Sequence, residues 1–388
     1  MHNTVLLRLL LPFILLVASC GNPATGESAE PDANSAAAAP FTLTELATFD
    51  EPWAMAVEPG TGSLFVTERG GKIKFLQDNG RLGFVSGVPA VDYGGQGGLG
   101  DIAFAPDYAA SRQVYLSWAE AGGSDTRGAV VGRARLVCED HDSCALRNMQ
   151  VIWRQSPKVT GRGHYSHRIA FSPDGKYLFI ASGDRQKFTP AQDMGGNLGK
   201  VVRLLPDGTP APGNPFAARG GVAAQVWSLG HRNIVSLNFD AQGRLWDLEH
   251  GPRGGDELNL VKPRQNYGWP VVSNGDHYDG RSIPRHSTRP DFAAPAVSWN
   301  PVIAPGAMIF YSGNEFPDWR GQALIVAMQP PALVRVAIDG EGAHEVARYP
   351  MAERIRAVLQ RPDGSILLLE DGKDNRSAKL LQLTPKPR

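Results

Sequence analysis

The sequence lacks an excess of charge of either sign, because its 388 residues include 39 Lys and Arg and 39 Asp and Glu. Nucleic-acid-binding surfaces need a clear excess of positive charge, so this balance gives no indication of a nucleic-acid partner. The sequence also lacks any long stretch in which apolar residues follow the 3.6-residue period of a helix, while it contains 44 Gly and 30 Pro. These features predict an all-β protein.

Beyond its N-terminal segment, the chain has no hydrophobic run that could cross a bilayer. Arg8 precedes the apolar run 9–17, which is itself too short to span a membrane. A cleavable signal peptide has this layout, and the tetrapeptide 17–20, Val-Ala-Ser-Cys, resembles a bacterial lipobox. We therefore predict a signal peptide over residues 1–20 with Cys20 lipidated. The alternative is an ordinary secretory signal that contains a chance cysteine.

Residues 21–40 contain Gly, Pro, Ala, Ser, Asn and a few acids, and they offer nothing large and apolar to build a core. This composition predicts a flexible tether. Residues 41–388 should form the globular domain outside the cytoplasm. Acyl chains on Cys20 would hold the protein firmly on a membrane. Because Gly21 rather than Asp follows that cysteine, we expect a lipoprotein at the periplasmic face of the outer membrane.

Cysteine is scarce, and only Cys138 and Cys144 follow Cys20. Exported compartments are oxidising, so the two thiols are expected to pair in a disulfide that closes a small loop. The alternative is a metal site formed by these two cysteines and His141.

A turn followed by an apolar strand recurs six times in the globular part. The turns precede strands that begin near Leu64, Val114, Tyr177, Arg244, Ala323 and Ser365. Such units at uneven spacing predict a six-bladed β-propeller with long inter-strand loops. The alternative is a pair of β-sandwiches, which would not need the same turn-and-strand pattern six times. Loops from every blade meet at the mouth of a propeller, so the chemistry is expected there.

Several segments are too polar and too rich in Gly, His and Arg to form the interior of a sheet. In chain order they are 94–101 (GGQGGLGD), 161–168 (GRGHYSHR), 183–185 (GDR), 230–233 (GHRN), 249–259 (EHGPRGGDELN), 266–270 (NYGWP) and 354–356 (RIR). In this order they resemble the family of glucose/sorbosone (aldose sugar) dehydrogenases that depend on pyrroloquinoline quinone (PQQ). The resemblance runs from residue 52 to the C-terminal strand. It implies a quinoprotein that uses PQQ and calcium to oxidise a sugar and passes electrons to an acceptor that the sequence does not identify.

PQQ is a flat quinone with three carboxylates, so its site needs cations. Arg354 and Arg356 are two apart on a predicted strand, point to the same side and could meet carboxylates with planar guanidinium groups. The alternative for this pair is solvated surface charge. The resemblance also implies that Arg232 and Asn233 contact the quinone oxygens and that the Gln96 amide lies beside cofactor and substrate.

Calcium prefers oxygen ligands, including backbone carbonyls. The resemblance assigns the calcium that touches the quinone to the carbonyls of Gly251 and Pro252. It assigns a second calcium to the Glu257 carboxylate and the Tyr267 carbonyl. The alternative for the second site is that Asp256 and Glu257 only cap a turn.

The base should titrate near neutrality, which favours histidine. By resemblance it is His164, oriented by Asp184, and His167 is the second choice. The implied reaction is removal of the anomeric hydroxyl proton by His164 while hydride passes from sugar C1 to the quinone. Calcium would act as a Lewis acid, and Arg232 would stabilise the developing negative charge.

The sequence departs from the family pattern at two positions. Gln329 stands where a cofactor-binding lysine is usual, and Gly163 stands where some relatives carry an acid before the catalytic histidine. Neither change affects the scaffold, but both bear on cofactor affinity. Two other functions stay open on the sequence alone: a calcium-dependent lactonase-type hydrolase, and a propeller that binds a sugar or protein without turnover.

Overall fold

The computed structural model describes residue 1, residues 39–372 and residues 376–387 of the chain. The predicted signal peptide, the Cys20 lipidation site and nearly all of the predicted tether lie outside these residues. Within them, no helix combines the length and the hydropathy that crossing a membrane requires.

The prediction of an all-β protein is confirmed. The first half of the described chain contains the strands β1 (Phe41–Asp50), β2 (Pro52–Val57), β3 (Leu64–Glu68), β4 (Lys72–Leu76), β5 (Leu82–Ser86), β6 (Leu99–Phe104), β7 (Gln113–Ala121), β8 (Arg127–Asp140), β9 (Ser143–Arg154), β10 (Ser166–Phe171), β11 (Leu178–Ser182) and β12 (Lys200–Leu204). The second half contains β13 (Val226–Leu229), β14 (Ile234–Phe239), β15 (Leu245–Glu249), β16 (Asp256–Leu260), β17 (Val297–Trp299), β18 (Pro305–Phe310), β19 (Ala323–Met328), β20 (Pro331–Asp339), β21 (Gly342–Pro350), β22 (Ile355–Gln360), β23 (Ile366–Glu370) and β24 (Ser377–Pro385).

Helices are short and lie in the connections. The described residues contain the α-helix α1 (Tyr108–Ser111) and the 3₁₀ turns Thr189–Ala191, Ala217–Arg219, Gly221–Gln225, His286–Thr288 and Pro317–Trp319.

The strands form four sheets of four strands and one sheet of eight. Three of the small sheets take consecutive strands, namely β10–β13, β14–β17 and β18–β21. The fourth pairs the N-terminal strand β1 antiparallel with β24, beside β23 and β22, so both ends of the domain share one sheet. The eight-stranded sheet consists of β2–β5 and β6–β9, which are joined by a parallel contact between β5 and β9.

Burial explains why the second strand of each group is so apolar. All residues of β3, β11, β15 and β19 are buried, because neighbouring strands flank each of them and other sheets cover both faces. Outer strands instead alternate between covered and exposed positions: β5 alternates buried with exposed residues and β21 mostly half-buried with exposed residues, which is the period of a strand with one face in water.

The recurring turn predicted from the sequence is the hairpin between the first and second strands of each group. In the hairpin of β10 and β11, the Gly175 amide donates to the Ser172 carbonyl at 2.8 Å. Gly175 has φ +72°, a conformation that favours glycine at this position. This turn-and-strand pattern could be predicted from the sequence because the residues that determine a turn are adjacent in the chain.

The first strands of the groups pack against one another in the order β2, β6, β10, β14, β18 and β22, and β22 packs against β2. Arg168 on β10 links several of them. Its guanidinium donates to the Val235 carbonyl of β14 (2.6 Å), the Asp101 carboxylate of β6 (3.3 Å) and the Gly306 carbonyl of β18 (3.4 Å). It also lies 3.8 Å from the ring centroid of Trp53 on β2. These contacts align the starts of the inner strands at one end of the domain.

The structure contains the disulfide between Cys138 and Cys144 at the tip of the β8–β9 hairpin. Both thiols are used in this bond, which overturns the alternative of a metal site shared with His141.

Candidate active site

The segments that precede the inner strands bring three predicted groups around one residue, His250. The Nε2 atom of His250 lies 2.6 Å from the Pro305 carbonyl oxygen. Burial is the main cause that lowers the pKa of His250 to about 3, and the nearby Arg232, Arg356 and His164 also act to lower it. Arg232 donates to the His250 carbonyl oxygen, and Arg356 and His164 are near enough to influence the ring of His250, the residue that directly precedes Gly251 and Pro252 in the chain. The predicted base, the predicted calcium turn and the arginine pair lie in one region.

His164 and Asp184 form a buried pair. The His164 Nδ1 atom lies 2.7 Å from the Asp184 Oδ1 atom, and the two residues are 6% and 0% exposed. The pKa of His164 is lowered because burial and the charge of Arg232 outweigh the hydrogen bond to Asp184, which raises it. His164 is therefore neutral near pH 7. With its Nδ1 hydrogen donated to Asp184, the Nε2 atom carries the lone pair that a base needs.

The backbone of His164 is fixed in a strained conformation. His164 has φ +48°, a region that non-glycine residues rarely occupy. Its amide donates to the Gln96 Oε1 atom at 2.7 Å, so this predicted site residue holds the base in place through the base's own main chain. Gly183 packs so closely that a Cβ atom there would lie 2.0 Å from the His164 carbonyl oxygen. The site therefore requires glycine at position 183.

His167, the second choice for the base, lies in the core behind the site. Its ring stacks on Trp53 at 4.8 Å between centroids, and its Nδ1 atom lies 2.7 Å from the Ser117 hydroxyl. Burial lowers its pKa to about 3, and the charge of Arg168 contributes to the shift. His167 is 2% exposed and packs against Trp53 in the core, so the assignment of His167 as an alternative base is wrong.

Arg232 presents an unpaired donor to the site. Its Nη1 atom donates to the His250 carbonyl at 3.0 Å, and its Nη2 atom donates to the Tyr278 hydroxyl at 3.3 Å. Its Nε atom is buried and has no hydrogen-bond partner among the residues that the structure describes. A buried N–H without a partner is costly, so this atom fits an acceptor oxygen of a bound group. The adjacent Asn233 is 5% exposed, and its Oδ1 atom accepts a 3.4 Å bond from Ser166.

Arg354 and Arg356 do face the same side, and the residue that they share is Asp371. The Arg354 Nε atom lies 2.8 Å from the Asp371 Oδ2 atom, and the Arg356 Nη2 atom lies 2.9 Å from Oδ1. The pKa of Asp371 is lowered although burial alone would raise it, because both arginine charges stabilise the carboxylate. Two guanidinium groups on one carboxylate leave a net positive charge. The two arginines are therefore partly exposed and ion-paired with Asp371 rather than simply solvated.

Gln329 is exposed, and the residue before it, Met328, contacts Arg354. The Arg354 Nη1 atom donates to the carbonyl of the preceding residue, Met328, at 3.4 Å. Arg354 itself lies one residue before β22 begins, so only Arg356 is within the strand that was predicted to carry both.

The four predicted calcium ligands line a single cavity. Gly251, Pro252, Glu257 and Tyr267 surround a space of about 10 Å³, together with Glu249 and Arg232. A cavity of this size holds about one water molecule or one small ion. Burial and the charges of Glu249 and Asp247 raise the pKa of Glu257 well above its ordinary value.

Asp256 and Glu257 have different roles, although they are neighbours. The Asp256 carboxylate accepts hydrogen bonds from the amides of Gly251 (2.8 Å), Ile303 (2.8 Å) and Ala304 (2.7 Å). Asp256 therefore caps the turn, as the alternative for this segment predicted, whereas Glu257 lines the cavity.

Next to the cavity lies an acidic network that the sequence analysis missed. The His231 Nδ1 atom lies 2.6 Å from a Glu249 oxygen and 3.2 Å from an Asp247 oxygen. Burial opposes protonation of His231, but the two carboxylates raise its pKa to about 9. Ligand atoms of these three residues lie within 4.8 Å of one another. The signal was the alternation of Asp247 and Glu249 on β15, which places both acids on one face.

The charge balance of this region fits a bound cation. The imidazolium of His231 supplies one positive charge, whereas Asp247, Glu249 and Glu257 are three buried acids. Buried carboxylates need a counter-charge or a metal, and oxygen donors of this kind are the ligands that Ca²⁺ prefers. The donor set at the cavity therefore fits calcium.

Comparisons with known proteins follow the same direction. The family model for glucose/sorbosone dehydrogenase matches residues 49–382. The chain is 36% identical to aldose sugar dehydrogenase YliI of Escherichia coli (strain K12), over 87% of this chain and 91% of that protein. The apo crystal structure of the soluble aldose sugar dehydrogenase from Escherichia coli is similar at TM-score 0.82 and 34% identity, covering 89% of this chain and all of that one (100%). The PQQ-bound aldose sugar dehydrogenase from Streptomyces coelicolor is similar at TM-score 0.68 and 26% identity, covering 89% and 98%.

Proposed function

We propose that this chain, which belongs to the glucose/sorbosone dehydrogenase family, oxidises aldoses at C1 to lactones with PQQ and calcium. Its membership of that family makes it a quinoprotein sugar oxidoreductase. The observation that carries the proposal is a continuous set of contacts from the base to the cavity at Gly251: His164 pairs with Asp184, the Asp184 amide donates to the Arg232 carbonyl, and Arg232 donates to the His250 carbonyl at the cavity. Family membership sets aside the hydrolase and the binding propeller as first choices.

The residues that would hold PQQ are Arg354, Arg356, Arg232 and Asn233, with Gln329 at their edge. Two features support this assignment. The Arg354 and Arg356 pair keeps a net positive charge beside Asp371, and the buried Arg232 Nε atom lacks a partner in the described part of the chain. Both match a group with carboxylate and carbonyl oxygens.

Calcium would be held in this cavity by the carbonyls of Gly251 and Pro252 together with Glu257 and Tyr267, and the space has room for one ion rather than the two that the resemblance implies. The support is that all four residues line one cavity beside an acidic network. When bound, PQQ supplies a hydride acceptor and calcium supplies Lewis acidity, and the protein supplies orientation and proton transfer.

The protein's own step is proton removal. The neutral His164 accepts the anomeric hydroxyl proton at Nε2, and Asp184 stabilises the imidazolium that forms through the 2.7 Å bond at Nδ1. The Arg232 guanidinium would donate to an oxygen that gains negative charge. Burial of the base excludes water and keeps its pKa below the ordinary value, so the base is unprotonated at neutral pH.

Dye reduction by purified protein tests the proposal. Titration of PQQ into calcium-loaded protein should give saturable turnover with aldoses. His164→Ala should keep PQQ binding and lose about 10² to 10⁴ of the rate, which is the usual contribution of a general base. His344→Ala, an exposed histidine on β21, is the matched control and should keep the wild-type rate. Equal rates for His164→Ala and wild type would contradict the assignment, and saturable binding without turnover would favour a binding protein.

We also propose that the sheets form six blades in a closed ring. The eight-stranded sheet divides at the parallel pair β5–β9 into two antiparallel groups, which together with the four small sheets supports that number. The cyclic contacts of the inner strands and the pairing of β1 with β24 support closure.

We further propose that the domain, residues 41–388, is exported behind the signal peptide 1–20 and tethered by residues 21–40. The lipobox-like tetrapeptide before Cys20 supports this proposal. Cell fractionation tests it, because Cys20→Ser should move the protein from the outer-membrane fraction to a soluble fraction. Mass spectrometry should find the acyl chains on wild-type Cys20 only.

A further inference from the structure

Trp269 contacts the oxygen of Asp184 that the base does not use. The Asp184 Oδ1 atom accepts from His164 Nδ1 at 2.7 Å and from the Gln186 amide at 2.9 Å. The Oδ2 atom accepts from the Trp269 indole Nε1 at 2.7 Å. Within residues 39–372 and 376–387, the structure gives Oδ2 no other donor. The indole therefore completes the pairing of a carboxylate that is fully buried.

The indole itself is held from the other side. The Trp269 amide donates to the Gly230 carbonyl at 2.9 Å, and the Trp269 carbonyl accepts from the Gln192 side chain at 2.7 Å. The side-chain amides of Gln192 and Asn266 donate to each other at 3.0 and 2.7 Å, which fixes this segment. None of these bonds involves Asp184. Trp269 is thus an independent anchor against which the carboxylate is set.

The ring of Trp269 also contacts the residue that carries the unpaired donor. The Arg232 guanidinium carbon lies 5.1 Å from the Trp269 ring centroid, and the Phe188 ring lies 5.6 Å away. A cation at this distance from an aromatic face is attracted to it. One side chain therefore touches both the partner of the base and the arginine that faces the same site.

On the basis of the function proposed above, we propose that Trp269 is a positioning residue, whose indole N–H fixes the Asp184 carboxylate in the orientation that holds His164 as the base. A carboxylate has two equivalent oxygens and can rotate about its bond to Cβ. With one oxygen bound by His164 and Gln186 and the other by Trp269, rotation would break a charge-assisted hydrogen bond. The Nδ1 hydrogen of His164 is therefore kept on a fixed acceptor.

The proposal predicts a direction for the pH dependence. Removal of the indole N–H leaves the negative charge of Asp184 less shared, so the carboxylate stabilises protonated His164 more strongly. The other charged or titratable groups near His164 are Arg232, Arg185 and His250, and Trp269→Phe leaves all three in place. The pH below which the base is protonated should therefore rise. A side chain with only a structural role would change the rate or the stability without this shift.

The test compares Trp269→Phe with Trp299→Phe. Trp299 is 6% exposed, close to the 5% of Trp269, and its Nε1 atom donates to a Glu345 carboxylate oxygen at 2.9 Å in the outer part of another sheet. In protein reconstituted with PQQ and calcium, Trp269→Phe should lower kcat about tenfold, as loss of a hydrogen bond to a charged group does. The acidic limb of its pH profile should move to higher pH. Trp299→Phe should keep the wild-type limb.

Nuclear magnetic resonance of the protein without PQQ gives a readout that does not depend on turnover. The His164 ring titration should move to higher pH in Trp269→Phe, and Trp269→Tyr, which also lacks the indole N–H, should repeat the shift. In wild-type protein labelled with ¹⁵N-tryptophan, one of the eight indole resonances should follow the same midpoint. The ¹⁵N-tryptophan measurement uses wild-type protein, so it does not depend on whether a variant folds.

Each result decides the role of Trp269 separately from the proposed function. An unshifted His164 titration in the variant, or the lack of any indole resonance that follows it, would overturn the positioning role even if the wild type turns over sugars. A lower rate with an unchanged acidic limb would also overturn it, because that is the result of a packing defect. If the wild type has no dehydrogenase activity but the titration shifts as stated, the pairing holds and the proposed function fails.

Discussion

Replacement of Asp184 by Asn should nearly abolish turnover, because three donors converge on its two oxygens. Asn presents one oxygen and one NH₂ group. If the amide oxygen takes the place of Oδ1, it keeps the hydrogen bonds from His164 and Gln186, but the NH₂ group then faces the Trp269 N–H, which is also a donor. If the amide is reversed, the NH₂ group faces His164 and Gln186 instead. Either orientation leaves at least one buried donor without an acceptor.

The expected magnitude follows from these contacts. Loss of a hydrogen bond to a charged group costs about 1.5–3 kcal/mol, and a buried donor without a partner costs about 1–3 kcal/mol more. At about 1.4 kcal/mol for each factor of ten, the rate should fall by about 10² to 10⁴. The loss should appear in kcat rather than in PQQ affinity, since Asp184 is 0% exposed and contacts only the protein.

The pH profile of Asp184→Asn provides the sharper assay. The neutral amide no longer stabilises protonated His164, whereas burial and the charge of Arg232 still oppose protonation. The pKa of His164 should therefore fall further, and the acidic limb of kcat/KM should move to lower pH. This shift is opposite to the one expected for Trp269→Phe, although both variants are slower.

A matched control separates charge from site. Asp174→Asn removes an acid in the β10–β11 hairpin, where its carboxylate is 49% exposed and pairs with Lys176. This change should leave kcat and the pH profile as in the wild type. An Asp184→Asn protein within threefold of the wild-type rate would refute the dyad. A loss equal to that of the control would do the same.

Three further changes test other parts of the structure. Asp371→Asn should lower the free energy of unfolding by about 1–3 kcal/mol at pH 7, a range reduced because Arg354 and Arg356 are 35% and 18% exposed. The folded-state pKa of Asp371 is lowered, so this contribution to stability is present above the unfolded-state pKa and is lost as pH falls through the folded-state pKa. The urea unfolding curves of variant and wild type should therefore converge in acid. An equal difference between the two curves at all pH values would contradict the pairing. Calcium at 100 times its Kd should stabilise the wild type by about 3 kcal/mol, and Glu257→Gln should reduce the corresponding rise in Tm; an equal rise would exclude Glu257 as a ligand. Replacement of Cys138 and Cys144 by Ser should lower stability by about 2 kcal/mol in urea unfolding and leave kcat unchanged, because the bond lies at a hairpin tip; a lower kcat would contradict that separation.

The parts of the fold that could be predicted from the sequence are those set by local chemistry. The Pro-Asp-Gly turn before Tyr177 and the one before Ser365 both lie between the first and second strands of their sheets. The apolar runs after these turns were predicted to be strands, and β11 and β23 lie there with all or nearly all of their residues buried. The disulfide could be predicted in the same way, because only two cysteines follow Cys20.

The parts of the site that could not be predicted depend on contacts between distant segments. Asp371 lies 15 and 17 residues from the arginines that it pairs, and no spacing rule connects them. Trp269 lies 85 residues from Asp184 and belonged to a motif whose only assigned position was Tyr267. The choice between His164 and His167 also needed the structure, because the two lie three residues apart in one motif and both are buried. Their partners distinguish them: His164 pairs with the Asp184 carboxylate, whereas His167 stacks on Trp53 and contacts Ser117.

Two buried histidines show how the environment assigns opposite tasks to one residue type. Burial opposes the charged form of both His164 and His231. His164 has one carboxylate partner and a nearby arginine, Arg232, so its pKa stays below the ordinary value and the ring can accept a proton. His231 contacts two carboxylates, of Glu249 and Asp247, and their combined charge overcomes burial and raises its pKa to about 9. His231 is therefore a fixed cation within the acidic network, and the number of carboxylates in contact with each ring decides which of the two is free to act as a base.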